Sequence, residues 1–209
     1  MVESLAPIYP RNCVPLSMNL APGGAILTID AKGDKDCEEA ARIDLEAFDH
    51  VAVFATGKAS SSMCAEALKV MEGSRCPISA FVVTKPGHVS ESERLVLESF
   101  NAEIRYGSHP VPDDTSLSSS LSLKEYCASR PSRTLFIHLL SGGTSSLLTL
   151  PTSPLTIRHL SEVNKVLLEA GEEIEDMNTV RRCMDDAKGG GVVRWCLGEA
   201  GGKDGKDNW

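Results

Sequence analysis

The stretch Val51-Ala52-Val53-Phe54-Ala55-Thr56-Gly57-Lys58 decides the fold of this chain. It begins with a short apolar run that favours a β-strand, and Gly57 then allows the backbone to turn tightly. Residues 59–71, which favour a helix, follow at once. A strand, a turn and a helix in this order are the repeating unit of a parallel sheet.

The same unit recurs further along the chain. Strands are predicted at 78–84, 103–106 and 134–140, with helices at 90–100, 115–128, 144–148, 157–170 and 173–184. The first fifty residues give only a strand at 25–29 and a short helix at 37–48. The alternation predicts an α/β fold in which a mostly parallel sheet is covered by helices on both faces.

The composition is that of an ordinary globular chain. Of its 209 residues, 42% are apolar and 24% are charged, which excludes the fibrous and disordered classes. A formal net charge of −8 gives no general attraction to nucleic acid or to an anionic membrane surface. Residues 1–20 lack the pattern of a secretory leader, and no run reaches the roughly 18 apolar residues of a spanning helix. We therefore expect a cytoplasmic protein with neither a nucleic-acid nor a membrane partner.

The cysteines and histidines form no metal-binding motif. Seven cysteines are present without a Cys-x-x-Cys pair, and the five histidines are scattered. Zinc ribbons and thioredoxin-like sites need ligands or thiols at that short spacing. We expect reduced thiols and no metal site built from protein ligands alone.

Two loops that follow predicted strands have the features of anion sites. In the first, Gly57 permits the turn and Lys58 places an ammonium group beside the start of a helix. In the second, two adjacent glycines offer unhindered amides among hydroxyl groups, in the order Ser141, Gly142, Gly143, Thr144 and Ser145. Neither loop carries a Walker A, Gly-x-Gly-x-x-Gly or Gly-x-Ser-x-Gly pattern. The alternative for both is an ordinary turn that leads into a helix.

Two further loops contain prolines and present polar groups. The prolines of 109–114 hold His109 and Asp113 in an extended segment, but Asp113 or Asp114 serves equally well as the N-cap of the next helix. The segment 85–88, Lys-Pro-Gly-His, follows another predicted strand. Its histidine, like His109, is either a structural residue or a ligand-binding one.

The last candidate cluster lies in the helix predicted at 173–184. Asn178, Arg181 and Arg182 share one face of that helix at spacings of three and four residues, and Lys188 follows it. Arginines on such a face bind anions in bidentate fashion. The alternative is a solvated helix end whose cations complement the helix dipole.

Five motifs occur in an order that resembles the ATP-dependent glycerate 2-kinases with a MOFRL domain. They are ATGKA at 55–59, VTKPGH at 83–88, HPVPD at 109–113, LSGGTSSLL at 140–148, and 178–190, which begins NTVR and ends KGG. The resemblance implies the Rossmann-like three-layer sandwich of the family's N-terminal domain. It also implies transfer of a phosphoryl group from ATP to the 2-hydroxyl of D-glycerate with Mg²⁺. Some members of that family carry the name hydroxypyruvate reductase.

Matched motif by motif, the resemblance implies catalytic roles for Lys58, Asp113 and Arg181. Lys58 matches the lysine of the family's Gly-Lys turn and is expected to act on the transferred phosphoryl group or the substrate. Asp113 is the candidate for binding magnesium or orienting the substrate hydroxyl. Substrate and phosphate binding fall to a larger set: Gly57, Ser141, Gly142, Gly143, Thr144, Ser145, Asn178 and Lys188. Such roles suit phosphoryl transfer, which depends mainly on positioning and charge neutralisation.

Two departures from the family pattern affect these expectations. Residues 182–185 read Arg-Cys-Met-Asp where the family usually has Lys-His-Leu-Ser, and Asp185 and Asp186 add negative charge beside an anion site. After Gly190 the family continues into a second domain, whereas this chain continues with a divergent segment, 191–209, which we expect to be disordered. The expected domain is therefore 1–190.

The active site of the family lies between its two domains. This chain would supply half of that cleft, be inactive alone and self-associate through the exposed face. The alternatives to a truncated glycerate 2-kinase are a non-catalytic ligand-binding remnant and an incomplete gene product. A hydroxypyruvate reductase is disfavoured because the chain has no dinucleotide fingerprint.

Overall fold

A computed structural model describes residues 9–30, 40–171 and 173–198. Its elements, in chain order, are α1 (Pro10–Ser17), β1 (Met18–Leu20), β2 (Ile26–Ile29), β3 (Ala41–Asp44), β4 (His50–Thr56), α2 (Ser60–Val70), β5 (Ile78–Thr84), α3 (Glu91–Ser99), β6 (Glu103–Tyr106), α4 (Asp114–Ala128), β7 (Thr134–Leu140), α5 (Thr144–Leu147), α6 (Ile157–Ala170), α7 (Ile174–Met184) and α8 (Gly191–Cys196).

Four of the strands form one parallel sheet with the order β6-β5-β4-β7. β4 lies inside the sheet, where Val53 pairs with Ala80 of β5 and with Ile137 of β7. It is buried from Val51 to Thr56 because it has a strand on each side and apolar cores on both faces. The predicted α/β fold with a parallel sheet is confirmed.

The two faces of this sheet pack against different helices. Leu68 of α2 and Leu97 of α3 belong to one buried core, whereas Leu123 of α4 and Trp195 of α8 belong to the other. Successive residues of β4 alternate between these cores because the side chains of a strand point to opposite faces. The result is a sheet between two helical layers.

The N-terminal part differs from the prediction. The strand predicted at 25–29 is confirmed as β2, but it pairs with β1 and β3 in a separate antiparallel sheet that the sequence did not indicate, and α1 precedes this sheet. The predicted helix at 37–48 is wrong for its described part, since residues 41–44 form a strand and Leu45–Ala47 a short 3-10 turn. Ile43 pairs with Leu27 of β2, so strand pairing overrides the helix propensity of this segment. Residues 37–39 of the prediction lie outside the described residues.

The C-terminal boundary also differs from the prediction. Residues 191–196 form α8 instead of a disordered segment, and Trp195 is only 3% exposed in the core beneath α4. The expected domain boundary after residue 190 therefore lies inside the domain, because α8 packs against its core. Glycines and charged residues are frequent in 191–209, which favoured the prediction of disorder, but the burial of Trp195 anchors the helix. Residues 199–209 of the expected tail lie outside the described residues.

None of the described helices has the length and apolar composition needed to cross a membrane. The six cysteines in the described part of the chain are free thiols. Burial raises the pKa of Cys64 to about 12, which keeps that thiol protonated and unreactive.

Candidate functional site

The turns that follow β4 and β7 pack directly against each other. The Lys58 N–H donates to the Gly142 carbonyl oxygen at 2.9 Å, and the Ala59 N–H donates to the Ser141 hydroxyl at 3.1 Å. Gly57 has φ +120°, and a Cβ atom there would lie 2.5 Å from the carbonyl oxygen of Ser141. Glycine is therefore required at this contact. The packing brings Lys58 beside the glycine-rich loop.

Two hydroxyl groups of the glycine-rich loop hold the loop in place. The Thr144 hydroxyl lies 2.9 Å from the carbonyl oxygen of Thr56 and 2.8 Å from that of Ser141. The Ser141 hydroxyl donates to the Thr56 carbonyl at 3.2 Å. In contrast, the N–H groups of Gly142 and Gly143 donate to no other residue in the described ranges. Gly143 is left-handed, with φ +93°, and free amides in such a turn form a concavity that suits an anion.

Basic side chains flank the Gly143 backbone. A Cβ atom at Gly143 would lie 3.1 Å from Cγ of Lys58 and 3.0 Å from Cδ2 of His109. Burial, together with the charges of Lys58, Lys85 and His88, lowers the pKa of His109. The lowered pKa favours the neutral form of the His109 ring at pH 7.

Lys85, His88 and His109 join Lys58 although the family resemblance assigned them no role. They come from the loops that follow β5 and β6. The signal in the sequence was the position of these loops, because the carboxyl ends of parallel strands meet at one edge of a sheet. The basic character of all three side chains also suits a site that binds an anion.

Hydroxyl groups tie these loops to neighbouring helices. Ser61 of α2 donates to the His88 carbonyl oxygen at 2.6 Å, and Ser146 of α5 donates to the Pro110 carbonyl oxygen at 2.6 Å. The Nδ1 atom of His88 lies 3.0 Å from the carbonyl oxygen of Lys58. The basic residues are therefore held by backbone contacts of the rigid scaffold.

Asp113 caps α4. Its Oδ1 atom accepts hydrogen bonds from the N–H groups of Thr115 at 2.9 Å and Ser116 at 3.3 Å, and from the Thr115 hydroxyl. Burial favours the protonated carboxyl group, but these hydrogen bonds outweigh it and lower the pKa of Asp113. Of the roles considered for Asp113, the structure shows that of the N-cap.

A cleft of about 430 Å³ opens beside the glycine-rich loop. It is lined by Ser145 from the loop, Asn178 from α7 and Lys188 from the segment after α7. His138 also lines the cleft; burial lowers its pKa to about 4, and its neutral ring lies 2.8 Å from the Thr56 hydroxyl. The cleft thus joins two of the segments that the sequence singled out.

Arg181 lies behind this cleft. Its Nε donates to Oδ1 of Asn164 in α6 at 2.6 Å, and it lines a smaller neighbouring cavity. Its neighbour Arg182 lines the cleft itself. The side chain that was expected to contact the substrate therefore braces α7 against α6, and the adjacent arginine takes the exposed position.

Lys188 is half of a buried ion pair. Its ammonium group contacts Asp185, which is 1% exposed and also accepts hydrogen bonds from the Thr149 hydroxyl and the Leu150 N–H. Burial lowers the pKa of Lys188, and the charge of Asp185 opposes that shift. The expectation that Asp185 would repel an anion is therefore wrong, because its charge is neutralised inside the domain. Asp186 is likewise occupied, as it accepts from the Thr152 hydroxyl.

The described residues form no cage of protein ligands around a metal ion. Within them, no group of three or more histidine, cysteine, aspartate or glutamate side chains is arranged to hold a metal ion. The side chains nearest the free glycine amides are basic, and Mg²⁺ prefers carboxylate and other oxygen ligands.

These features define an α/β domain with a candidate anion site at the carboxyl ends of its parallel strands. Its free amides, lysines and adjoining cleft suit a phosphorylated or carboxylated ligand. A family model described as a domain of unknown function, DUF4147, matches residues 8–200. The chain belongs to this family, which is the N-terminal domain of glycerate kinases.

Several known proteins are similar to this chain. A putative hydroxypyruvate reductase of Agrobacterium vitis is 38% identical over 142 residues, which cover 68% of this chain and 34% of that protein. A D-glycerate 2-kinase of Thermotoga maritima is 34% identical over 142 residues, or 68% of this chain and 32% of that one. The crystal structure of a Pyrococcus horikoshii protein has the same fold, with a TM-score of 0.74 and 21% identity over 94% of this chain and 39% of its own. The chain spans about a third of the length of the curated relatives it matches.

The basic cluster predicts anion binding that strengthens as the pH falls. An anion beside His109 would raise the lowered pKa of that ring, so binding takes up a proton and is favoured at pH 6 over pH 8. We expect calorimetric titration with sulfate, whose charge is constant in this range, to show this trend. His109→Gln should reduce the pH dependence.

Lys58→Met should weaken sulfate binding by about tenfold or more, because a charged hydrogen bond is lost. Lys69→Met is the matched control, since this lysine lies near the other end of α2 and pairs with Glu66. Equal loss of affinity in both variants would contradict a specific site at Lys58.

The buried ion pair predicts a large difference between two adjacent carboxylates. Asp185→Asn leaves the Lys188 ammonium buried without its counter-charge and should lower the free energy of unfolding by about 3 kcal/mol. Asp186→Asn removes a half-buried group with one side-chain partner and should cost about 1 kcal/mol. Urea unfolding measures both, and equal effects would exclude the structural role given to Asp185.

Proposed function

We propose that this chain is the phosphoryl-binding part of a glycerate 2-kinase, which transfers a phosphoryl group from ATP to the 2-hydroxyl of D-glycerate. The observation that carries the proposal is the convergence of Lys58 and His109 on the free amides of Gly142 and Gly143. The relatives named glycerate kinase support it. A cytoplasmic location is part of the proposal, because ATP is supplied there.

The geometry suits the electrostatic demands of this reaction. Phosphoryl transfer spreads negative charge over the equatorial oxygens of the transferred group. In the proposed site, the glycine amides and Lys58 neutralise this charge, and His109 donates a hydrogen bond from its neutral ring. Preorganised donors of this kind stabilise the transition state without reorganising during the reaction.

The cleft is the proposed position of the acceptor. Ser145, Asn178 and Arg182 line it and offer a hydroxyl, an amide and a guanidinium group to the carboxylate and hydroxyls of D-glycerate. Arg181 and Lys188 contribute by holding α7 and the segment after it in position. Lys58 is therefore the proposed catalytic residue, and Arg181 a positioning one.

The remainder of the proposed active site would face this domain across the cleft. Leu140 and Val193 line the cleft and are each about 60% exposed, so they form an apolar surface at its rim. We expect the isolated chain to self-associate through this surface. Light scattering should show a mass that rises with concentration, and Leu140→Ser with Val193→Ser should suppress the rise. A constant monomer mass would contradict this expectation.

Two other functions remain as alternatives. A domain that binds the same anions without turnover has the same geometry, and the relatives named putative hydroxypyruvate reductase favour a reductase. The kinase and the reductase form different products and the binding domain forms none, so measurements of turnover and binding separate the three functions.

The kinase proposal predicts ADP formation that depends on D-glycerate, with 2-phosphoglycerate as the product. The 209-residue chain is assayed with the magnesium complex of ATP, and the product is identified by phosphorus NMR. Lys58→Met should lower the rate by about a hundredfold or more, because it removes a charge aimed at the transition state, whereas Lys69→Met should not. Anion binding without turnover would contradict independent kinase activity and favour either the binding domain or a half-site that needs the rest of its active site. Oxidation of NADH by hydroxypyruvate would favour the reductase.

A further inference from the structure

Two cysteine side chains meet where α4 and α8 pack together. Cys127 lies in the last turn of α4, and Cys196 is the last residue of α8. Their sulfur atoms are 3.8 Å apart, although the two residues are 69 positions apart in the sequence. Neither side chain takes part in the anion site or lines the cleft.

The two thiols have different environments. Cys127 is buried, at 3% exposure, whereas Cys196 is partly exposed. The hydrogen bond that joins them raises the pKa of Cys127, and burial adds to that rise. The same hydrogen bond lowers the pKa of Cys196. Cys196 is thus both the more accessible sulfur and the one that ionises first, which are the properties of an attacking thiol.

The two sulfur atoms already lie in contact, so a bond between them requires only a short approach. A disulfide needs a separation of about 2.05 Å, so the sulfur atoms must approach from van der Waals contact by side-chain rotation and a small shift of a helix. α8 has only six residues, and no described element follows it that such a shift would displace. Trp195 keeps α8 seated in the core while this happens.

We propose that Cys127 and Cys196 form a dithiol site that a low-molecular-weight disulfide oxidises to an intramolecular disulfide. The Cys196 thiolate attacks one sulfur of the oxidant, forms a mixed disulfide and releases one thiolate. The Cys127 sulfur, after losing its proton, then attacks the Cys196 sulfur and releases the second thiolate. The protein loses two electrons and two protons, and the oxidant becomes two thiols.

The bond would fix one wall of the cleft. α8 begins directly after Lys188-Gly189-Gly190, which line the cleft, and the Gly191 N–H donates to the Lys188 carbonyl oxygen at 3.1 Å. A covalent link between α8 and α4 therefore restricts the movement of this wall relative to the sheet. The chemistry of the two sulfur atoms does not depend on whether the cleft binds D-glycerate.

Oxidation of the folded 209-residue chain with glutathione disulfide tests the proposal. After quenching with N-ethylmaleimide, mass spectrometry should find a form that lacks two hydrogen atoms and a peptide pair joined through Cys127 and Cys196. Cys183, which is exposed, serves as an internal control because it should carry only a glutathione adduct. A Cys183 adduct without the linked peptides would overturn the proposal.

Two variants separate the roles of the two cysteines. Cys127→Ser should accumulate a glutathione adduct on Cys196, since the resolving thiol is absent. In Cys196→Ser, Cys127 should react with glutathione disulfide at least about tenfold more slowly than Cys196 reacts in Cys127→Ser. Rapid modification of Cys127 in Cys196→Ser would refute the assignment. Circular dichroism confirms that each variant is folded. If a variant does not fold, the detection of the linked peptides in the chain without substitutions still tests the proposal.

Hydrogen exchange tests the effect on the cleft wall. The amides of 189–196 should exchange about tenfold more slowly in the oxidised chain, and reduction with dithiothreitol should restore the original rate. Exchange that is unchanged by oxidation would contradict the restriction of the cleft wall.

Discussion

The contact between Gly57 and Ser141 is the constraint on which the rest of the structure depends. β4 and β7 are neighbouring parallel strands, so their turns end at the same edge of the sheet. A side chain at residue 57 would separate these turns, because its Cβ atom would overlap Ser141. Because residue 57 is glycine, the Lys58 N–H donates to the Gly142 carbonyl oxygen, and the free amides of the glycine-rich loop lie beside a lysine. The geometry of the proposed anion site is therefore a consequence of how two strands end.

Burial decides what each cation of the domain does. Lys188 is mostly buried, and an ammonium group in that position requires a counter-charge, which Asp185 supplies. Lys58 is exposed and has no carboxylate partner in the described part of the chain, so its charge remains available to a ligand. Arg181 and Arg182 also differ in position, since the first braces α6 and the second lines the cleft. Adjacent residues in one motif thus have different functions.

α8 links the core to the rim of the cleft. Trp195 anchors it in the core, Val193 extends to the cleft, and Cys196 contacts Cys127 at the end of α4. Three successive functions, namely packing, lining and thiol chemistry, therefore lie within one and a half turns of helix. This arrangement makes the C-terminal part of the described chain an integral part of the domain and places a reactive thiol next to the wall that a ligand would contact.

The sequence by itself determined the parallel sheet, most of its helices and the loops that form the site. Apolar runs of strand length and glycine turns are local signals, and the edge at which parallel strands end follows from their direction. Only the tertiary structure decided that 41–44 is a strand, that Trp195 is buried and that Asp185 neutralises Lys188. It also showed that the hydroxyls of Ser141 and Thr144 hold the loop, whereas His109 joins Lys58. Strand pairing, burial and charge compensation depend on residues that are distant in the chain, so local sequence patterns do not predict them.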